Sequence, residues 1–121
     1  MATERALKTH PVTVRRAATF WSRLLGLMLL PHLPPAQGLL LTPCRSVHTC
    51  FMRFALDVVF LDADLRVVAV VERLPPWRFT QRQPRARHAL ELAAGEAERL
   101  SLRCGDAVSL QDSEPRRRIL R

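Results

Sequence analysis

The sequence predicts a mainly β domain, a jelly-roll-like β-sandwich or a barrel, with one short N-terminal helix and one or two helical turns near the C-terminus. Short apolar segments of β-type residues recur along the chain, and prolines and turn residues separate them. A single segment has the i, i+3, i+4, i+7 apolar spacing of an amphipathic helix. With 121 residues, 48% of them hydrophobic, the chain is long enough for one domain with a buried core.

The N-terminal third contains three predicted elements. Residues 1–10 are expected to be a flexible tail, followed by a strand at residues 11–15. Thr19 can cap a helix whose apolar positions lie on one face: Trp21, Leu24, Leu25 and Met28. Residues 38–42 then form a short apolar strand closed by a proline.

The central segment, residues 44–62, predicts two strands at 47–51 and 56–61. In the second strand Asp57 shares a face with Val59 and Leu61, because side chains alternate along a strand. A carboxylate buried in this way needs a cation or several hydrogen-bond donors. Arg53, just before a bend at residues 54–55, is the expected partner of Asp57.

The rest of the chain predicts a hairpin and two further strands. A loop at residues 62–65 leads into a strand at 66–72, and the arginine-rich loop after it runs to about residue 87. Strands at 88–92 and 106–110 flank a helical turn at 95–100. These elements form a single domain over residues 11–112, followed by a basic C-terminal tail at 113–121.

Leu65 closes the predicted hairpin loop, where a loop of this length commonly requires a residue with positive φ. A bulky side chain in that conformation stores strain of roughly 1 kcal/mol. We therefore expect Leu65→Gly to stabilise the protein.

The order and spacing of these segments resemble domain-of-unknown-function family 192, a family of small prokaryotic proteins. The matching segments are RLLGLM at 23–28, GLL at 38–40, SVHT at 46–49, FMRF at 51–54, LDVVFLD at 56–62, LEL at 90–92 and CGD at 104–106. The resemblance extends over roughly residues 12–110, and Leu65 stands where relatives commonly have a turn glycine. It implies a mainly β, jelly-roll-like sandwich and no reaction, cofactor or partner.

Charge and targeting signals limit the classes of partner. The formal net charge is +8, and all basic residues except Lys8 are arginine. No apolar run approaches the ~20 residues of a membrane span, and the N-terminus lacks the apolar core of a signal peptide. Three cysteines without a C-x-x-C spacing suit a reducing compartment. We therefore expect a cytoplasmic protein without a cofactor.

The predicted function is a non-catalytic binding module. Its small basic pocket would take an anionic ligand or a protein partner, because the arginine-rich loop can fold over the segment that precedes the bend. The residues expected to line this site are His48, Met52, Arg53, Asp57 and Trp77.

Three alternatives use the same residues differently. A hydrolase or transferase would use Cys44 as nucleophile, His48 as base and Asp57 to orient it, although no oxyanion-hole loop accompanies them. A nucleic-acid-associated accessory protein would use the arginine-rich loop and the basic tail.

A zinc site is the third alternative. Its ligands would be Cys44, His48 and Cys50, completed by Cys104 or His88, but the paired spacings of structural zinc sites are absent. We therefore predict three unpaired thiols and no bound metal.

Overall fold

The fold is mainly β, as predicted. The computed structural model describes residues 9–17, 37–50 and 52–112; the predicted N-terminal helix and nearly all of both predicted tails lie outside these ranges. The described elements are β1 (Thr9–Ala17), β2 (Gln37–Leu41), β3 (Leu56–Leu61), β4 (Val67–Leu74), β5 (His88–Ala93), α1 (Glu96–Arg99) and β6 (Ala107–Asp112). No helix within the described residues is long and apolar enough to cross a membrane.

The six strands form one mixed sheet in the order β4-β3-β5-β2-β1-β6. β3 pairs antiparallel with β4 and β5, and β5 pairs antiparallel with β2. β1 pairs in parallel with both β2 and β6. The first residues of edge strand β4 also bond to the region before β6, since the Val67 N–H donates to the Asp106 carbonyl at 2.8 Å. This link covers part of both sheet edges.

β3 is the most deeply buried strand, and its predicted alternation is confirmed. All six of its residues are buried. Leu56, Val58 and Phe60 belong to a cluster on one face of the sheet, and Val59 and Leu61 belong to a cluster on the other. Both faces of the sheet are therefore covered.

The hairpin between β3 and β4 confirms the predicted positive φ of Leu65. Its φ is 62°, and its N–H donates to the Asp62 carbonyl at 3.0 Å. The Asp62 carboxylate accepts the N–H groups of Asp64 and Arg66 at 2.9 and 3.0 Å. An aspartate that bonds to the following backbone in this way fixes a tight turn.

Two long loops cover the first face of the sheet. They are residues 42–50 with 52–55, and residues 75–87; together we call them the loop layer. Their buried side chains Cys44, Val47, Met52 and Ala86 pack in one cluster with Leu39, Leu56 and Phe60 of the sheet. Of the predicted strand at 47–51, the described residues 47–50 belong to this layer. They form a single bridge, between His48 and Phe79, because the partner is a loop rather than a strand of the sheet.

Candidate functional site

The arginine-rich loop lies along the segment that carries His48. Five backbone hydrogen bonds join the two halves of the loop layer: Thr49 N–H to Arg78 O (2.9 Å), Trp77 N–H to Thr49 O (3.0 Å), Thr80 N–H to Val47 O (2.9 Å), Gln83 N–H to Arg45 O (2.8 Å) and Cys44 N–H to Arg87 O (2.9 Å). The Thr80 hydroxyl accepts the Val47 N–H at 2.9 Å. These bonds fix the relative positions of the side chains that both loops present to solvent.

Thr49 holds the turn that opens the arginine-rich loop. Its side chain is fully buried, and its hydroxyl donates to the Pro75 carbonyl at 2.6 Å and accepts the Arg78 N–H at 2.9 Å. Its own carbonyl accepts N–H groups from Trp77 at 3.0 Å and Met52 at 3.1 Å. Thr49 is not among the site residues predicted from the sequence. The available signal was that Thr49 is two residues from the buried Val47 and so faces inward.

Two aromatic side chains project from this turn into solvent. Trp77 is 55% exposed and Phe79 is 74% exposed, and they are the exposed large hydrophobic residues of the described ranges. The backbone of Trp77 has φ 63°, a left-handed conformation that bulky residues rarely adopt. The ring of Phe79 lies 6.0 Å from the ring of His48, tilted by 51°. Strained backbone next to exposed aromatic rings is typical of a functional surface.

The loop layer is uniformly basic. Its sequence contains six arginines and no aspartate or glutamate. All six arginines are exposed: Arg45, Arg53, Arg78, Arg82, Arg85 and Arg87. Within the described part of the chain none of them forms an ion pair. Two donate to backbone carbonyls instead, Arg45 to Ala86 at 3.0 Å and Arg78 to Trp77 at 3.4 Å.

The structure separates the five residues of the predicted site into two groups. His48, Arg53 and Trp77 are exposed on the loop layer, where Phe79 joins them although the prediction omitted it. Met52 is buried in the first core cluster, and Asp57 is fully buried. The side chain of Asp57 lies between Leu56 and Val58 in sequence and so points to the opposite face of β3.

The predicted ion pair between Arg53 and Asp57 is wrong. The Asp57 carboxylate accepts backbone N–H groups from Arg73 (2.8 Å), Gly95 (3.0 Å) and Ala97 (2.8 Å). Arg53 is exposed, and no ion pair between the two is present although both residues are described. A buried carboxylate requires several hydrogen-bond donors or a cation, and for Asp57 the donors are backbone N–H groups.

The residues of the enzymatic alternative do not form a triad. Cys44 is buried and its thiol donates to the Ser46 carbonyl at 3.1 Å. The His48 Nδ1 accepts the Cys50 N–H at 3.3 Å, and Asp57 lies across the sheet. No group of three or more His, Cys, Asp and Glu side chains within the described ranges could hold a metal ion. The three thiols are not joined in disulfides, and Cys104 is close to the Val68 carbonyl at 3.6 Å, remote in sequence from the other two.

The fold and the loop layer define a class of protein: a small mainly β domain whose exposed basic surface is built from loops. Comparison with known families assigns the chain within that class. It belongs to domain-of-unknown-function family 192, described as "Uncharacterized ACR", whose model matches residues 2–110. The resemblance that the sequence motifs carry is thereby confirmed.

Relatives of known sequence and structure agree with this assignment. A UPF0127 protein of Thermococcus sibiricus is 34% identical over 110 residues, covering 88% of this chain and 71% of its own. A UPF0127 protein of Pyrococcus furiosus is 37% identical over 102 residues, covering 80% of this chain and 85% of its own. The crystal structure of a protein of unknown function from Novosphingobium aromaticivorans aligns with a TM-score of 0.69 at 23% identity, covering 78% of this chain and 71% of that one. The last similarity shows the fold alone.

Proposed function

We propose that this protein is a non-catalytic binding module and that the exposed side of its loop layer binds an anionic ligand or partner. The observation that carries the proposal is the set of six exposed arginines without an ion-pair partner among the described residues. Two other exposed arginines of the described residues, Arg73 and Arg99, are instead neutralised locally by glutamates. Repulsion within an unneutralised basic surface falls when an anion binds.

The chemistry of the surface suits phosphate or carboxylate groups. A guanidinium donates two parallel hydrogen bonds to such a group, and these charge-assisted bonds are stronger than neutral ones. The backbone bonds of the loop layer hold Arg45 and Arg78 on adjacent segments, so both are positioned before a ligand arrives. Less conformational entropy is then lost on binding.

The predicted site residues take different roles in this proposal. Arg53, Arg78 and His48 would contact the ligand, and Trp77 would pack against it. Met52 would support the loop layer from the core, and Asp57 would stabilise the sheet beneath it. Thr49 extends the set as the residue that positions the turn, and Phe79 lies beside His48 without contributing to the binding of the anionic group.

The test is a titration with inorganic tripolyphosphate in which binding is measured by calorimetry. The variant Arg78→Gln with Arg82→Gln removes two charges from the loop layer. Its matched control is Arg66→Gln with Arg103→Gln. Arg66, like Arg78, donates to a backbone carbonyl, and Arg103, like Arg82, is an exposed arginine whose side chain forms no hydrogen bond within the described residues. Both double variants lower the net charge equally.

We expect the affinity of the loop-layer variant to fall at least about tenfold, because a hydrogen bond to a charged group contributes about 1.5–3 kcal/mol. The control should stay within about twofold of the parent protein. Equal losses in the two variants would show a response to net charge alone and would refute a defined site. Absence of measurable binding by the parent protein would refute the proposal itself.

The enzymatic alternative has less support. Its nucleophile would be a buried thiol bonded to a carbonyl, and the orienting carboxylate would lie on the other face of the sheet. A thiolate nucleophile needs an accessible, electropositive surrounding. Nothing in the geometry favours Cys44 in that role.

A further inference from the structure

We infer that the anionic partner is a single-stranded nucleic acid, whose bases stack on Trp77 and Phe79 while its phosphates bind the flanking arginines. This inference rests on the proposed function and names the chemical class of its ligand. It adds a role for the exposed rings, which a small inorganic anion would not need.

Exposed rings and charges lie close together along the loop layer. Trp77, Arg78 and Phe79 are consecutive and exposed, and Arg82 follows three residues later. Proteins that bind single strands combine a basic track for the backbone with aromatic side chains on which successive bases stack. The loop layer offers both components on one surface.

The backbone that carries the two rings is ordered before a ligand arrives. Trp77 is held in a left-handed backbone conformation by its hydrogen bond to the Thr49 carbonyl, and the ring of Phe79 lies 6.0 Å from the ring of His48. A flexible loop would lose backbone entropy when bases stack on its rings. A loop fixed by backbone hydrogen bonds loses less.

The exposed rings favour a single strand over a duplex or a membrane. A duplex keeps its bases stacked on one another, so a ring can stack on a base face only after a base step is unstacked, which costs free energy. Membrane binding by an interfacial segment needs a continuous apolar face. Here the charged Arg78 stands between Trp77 and Phe79 in the sequence, and the exposed Arg82 follows in the same loop. A single strand is the partner that uses rings and charges together.

The experiment measures binding of a fluorescently labelled oligothymidylate of about twelve nucleotides, a length within the site sizes of single-strand binders. Phe79→Ala and Trp77→Ala are compared with Gln81→Ala, an exposed residue of the same loop whose side chain forms no hydrogen bond within the described part of the chain. Phe79 is the more secure test of the two aromatics, because it is the more exposed. Thermal unfolding of each variant confirms that it is folded.

We expect each aromatic variant to bind the oligonucleotide about tenfold more weakly, the effect of removing one stacking partner. Gln81→Ala should bind within about twofold of the parent protein. In the double variant Arg82→Gln with Arg85→Gln, the plot of log K against log salt should become less steep, by about 1.4 in slope. Each phosphate that an arginine neutralises contributes about 0.7 to the steepness for a single strand. Tripolyphosphate affinity of Phe79→Ala should be unchanged.

Other outcomes overturn the inference. If the oligonucleotide binds but the aromatic variants match the parent, or a duplex binds as tightly, then stacking is absent. If vesicles containing phosphatidylglycerol bind with aromatic dependence and the oligonucleotide does not, the partner is a membrane surface. If replacing Arg116, Arg117 and Arg118 by glutamine abolishes oligonucleotide binding, then the C-terminal segment is the site. In each case, if tripolyphosphate binding is retained, the proposed function stands. If tripolyphosphate binding is also lost, both the proposed function and this inference are refuted.

Discussion

The loop layer and the end of the sheet around α1 use arginine in opposite ways. In the loop layer six exposed arginines have no acidic partner within the described residues. We call the second region the helix corner: Asp57, Glu72, Arg73 and residues 95–99. There Arg73 pairs with Glu72 at 3.6 Å and with Glu98 at 3.4 Å, and Arg99 with Glu96 at 2.7 Å. The hydrogen bond from Arg99 to Glu96 raises the pKa of Arg99.

The helix corner is organised by the buried carboxylate of Asp57. The register of β3 against β4 shifts here, so that Glu72 and Arg73 lie opposite Asp57 as a β-bulge. Asp57 accepts the N–H of Arg73, which the bulge would leave unpaired. It also accepts the N–H groups of Gly95 and Ala97 at the start of α1. Gly95, at the N-cap position of α1, has no side chain that could accept these N–H groups. The Asp57 carboxylate, on β3, caps the helix instead.

This contrast distinguishes charges that stabilise the fold from charges that are available for binding. In the helix corner every charged group named above has a partner in the fold, so a ligand would have to compete with it. In the loop layer the backbone bonds hold the segments together, and the guanidinium groups have no acidic partner among the described residues. Charge substitutions should therefore affect stability in the helix corner and binding in the loop layer.

Asp57→Ala should have the largest effect on stability. It leaves three N–H groups without an acceptor at a buried site, and each unsatisfied donor costs about 1–3 kcal/mol. We expect a loss of about 3–5 kcal/mol in the free energy of unfolding, measured by urea denaturation. Asp64→Ala, at an exposed hairpin position, should stay within about 0.5 kcal/mol. A loss below about 1 kcal/mol for Asp57→Ala would show that the Asp57 carboxylate does not hold the helix corner together.

Thr49→Val should have the next largest effect. It removes a buried hydroxyl that bonds to Pro75 and Arg78 while keeping the side-chain shape, at a cost of about 1–3 kcal/mol. The freed turn should also increase amide exchange at Arg78. Thr49→Ser, which keeps the hydroxyl, should restore the exchange protection. Equal exchange in both variants would show that the hydroxyl does not hold the turn.

Leu65→Gly tests backbone strain outside both regions. Removal of the side chain relieves about 1 kcal/mol of strain at φ 62°, but Leu65 also packs partly against the second core cluster. We expect stabilisation of at most about 1 kcal/mol. Ser101→Gly, at φ 57° and exposed, loses no such packing and should gain about 0.5–1 kcal/mol. Destabilisation by Ser101→Gly would contradict strain as the cause.

Arg53→Ala should have the smallest effect on stability, because Arg53 is exposed and makes no ion pair with Asp57. We expect a change within about 0.5 kcal/mol. In a double-mutant cycle with Asp57→Ala, the coupling energy should be near zero. A coupling above about 1 kcal/mol would restore the ion pair predicted from the sequence.

Local patterns predicted the strands well. The alternation along residues 56–61 identified both faces of β3, and the hairpin loop identified the positive φ of Leu65. Both follow from interactions within a few residues of the chain. The paired strands β1 with β2 and β1 with β6 could not be predicted in the same way, because parallel pairing joins segments that are remote in sequence.

The main errors concerned buried polar side chains whose hydrogen-bond partners are backbone groups. The burial of Asp57 was predicted correctly, but its donors are N–H groups of residues 73, 95 and 97, which every non-proline residue carries and no sequence pattern marks. Thr49 was missed for the same reason, since its hydroxyl bonds to backbone 26 and 29 residues away. The loop layer's aromatic and arginine residues were recognised because their chemistry is visible in the sequence.

The most direct test of the central claim is an NMR titration that follows the side-chain Nε–H signals of all arginines as tripolyphosphate is added. The comparison predicts shifts at Arg45, Arg78 and Arg82 and unchanged signals at Arg73 and Arg99, whose guanidinium groups are paired with glutamates. Equal shifts at Arg73, Arg99 and the loop-layer arginines would contradict it, as would shifts confined to arginines outside the loop layer.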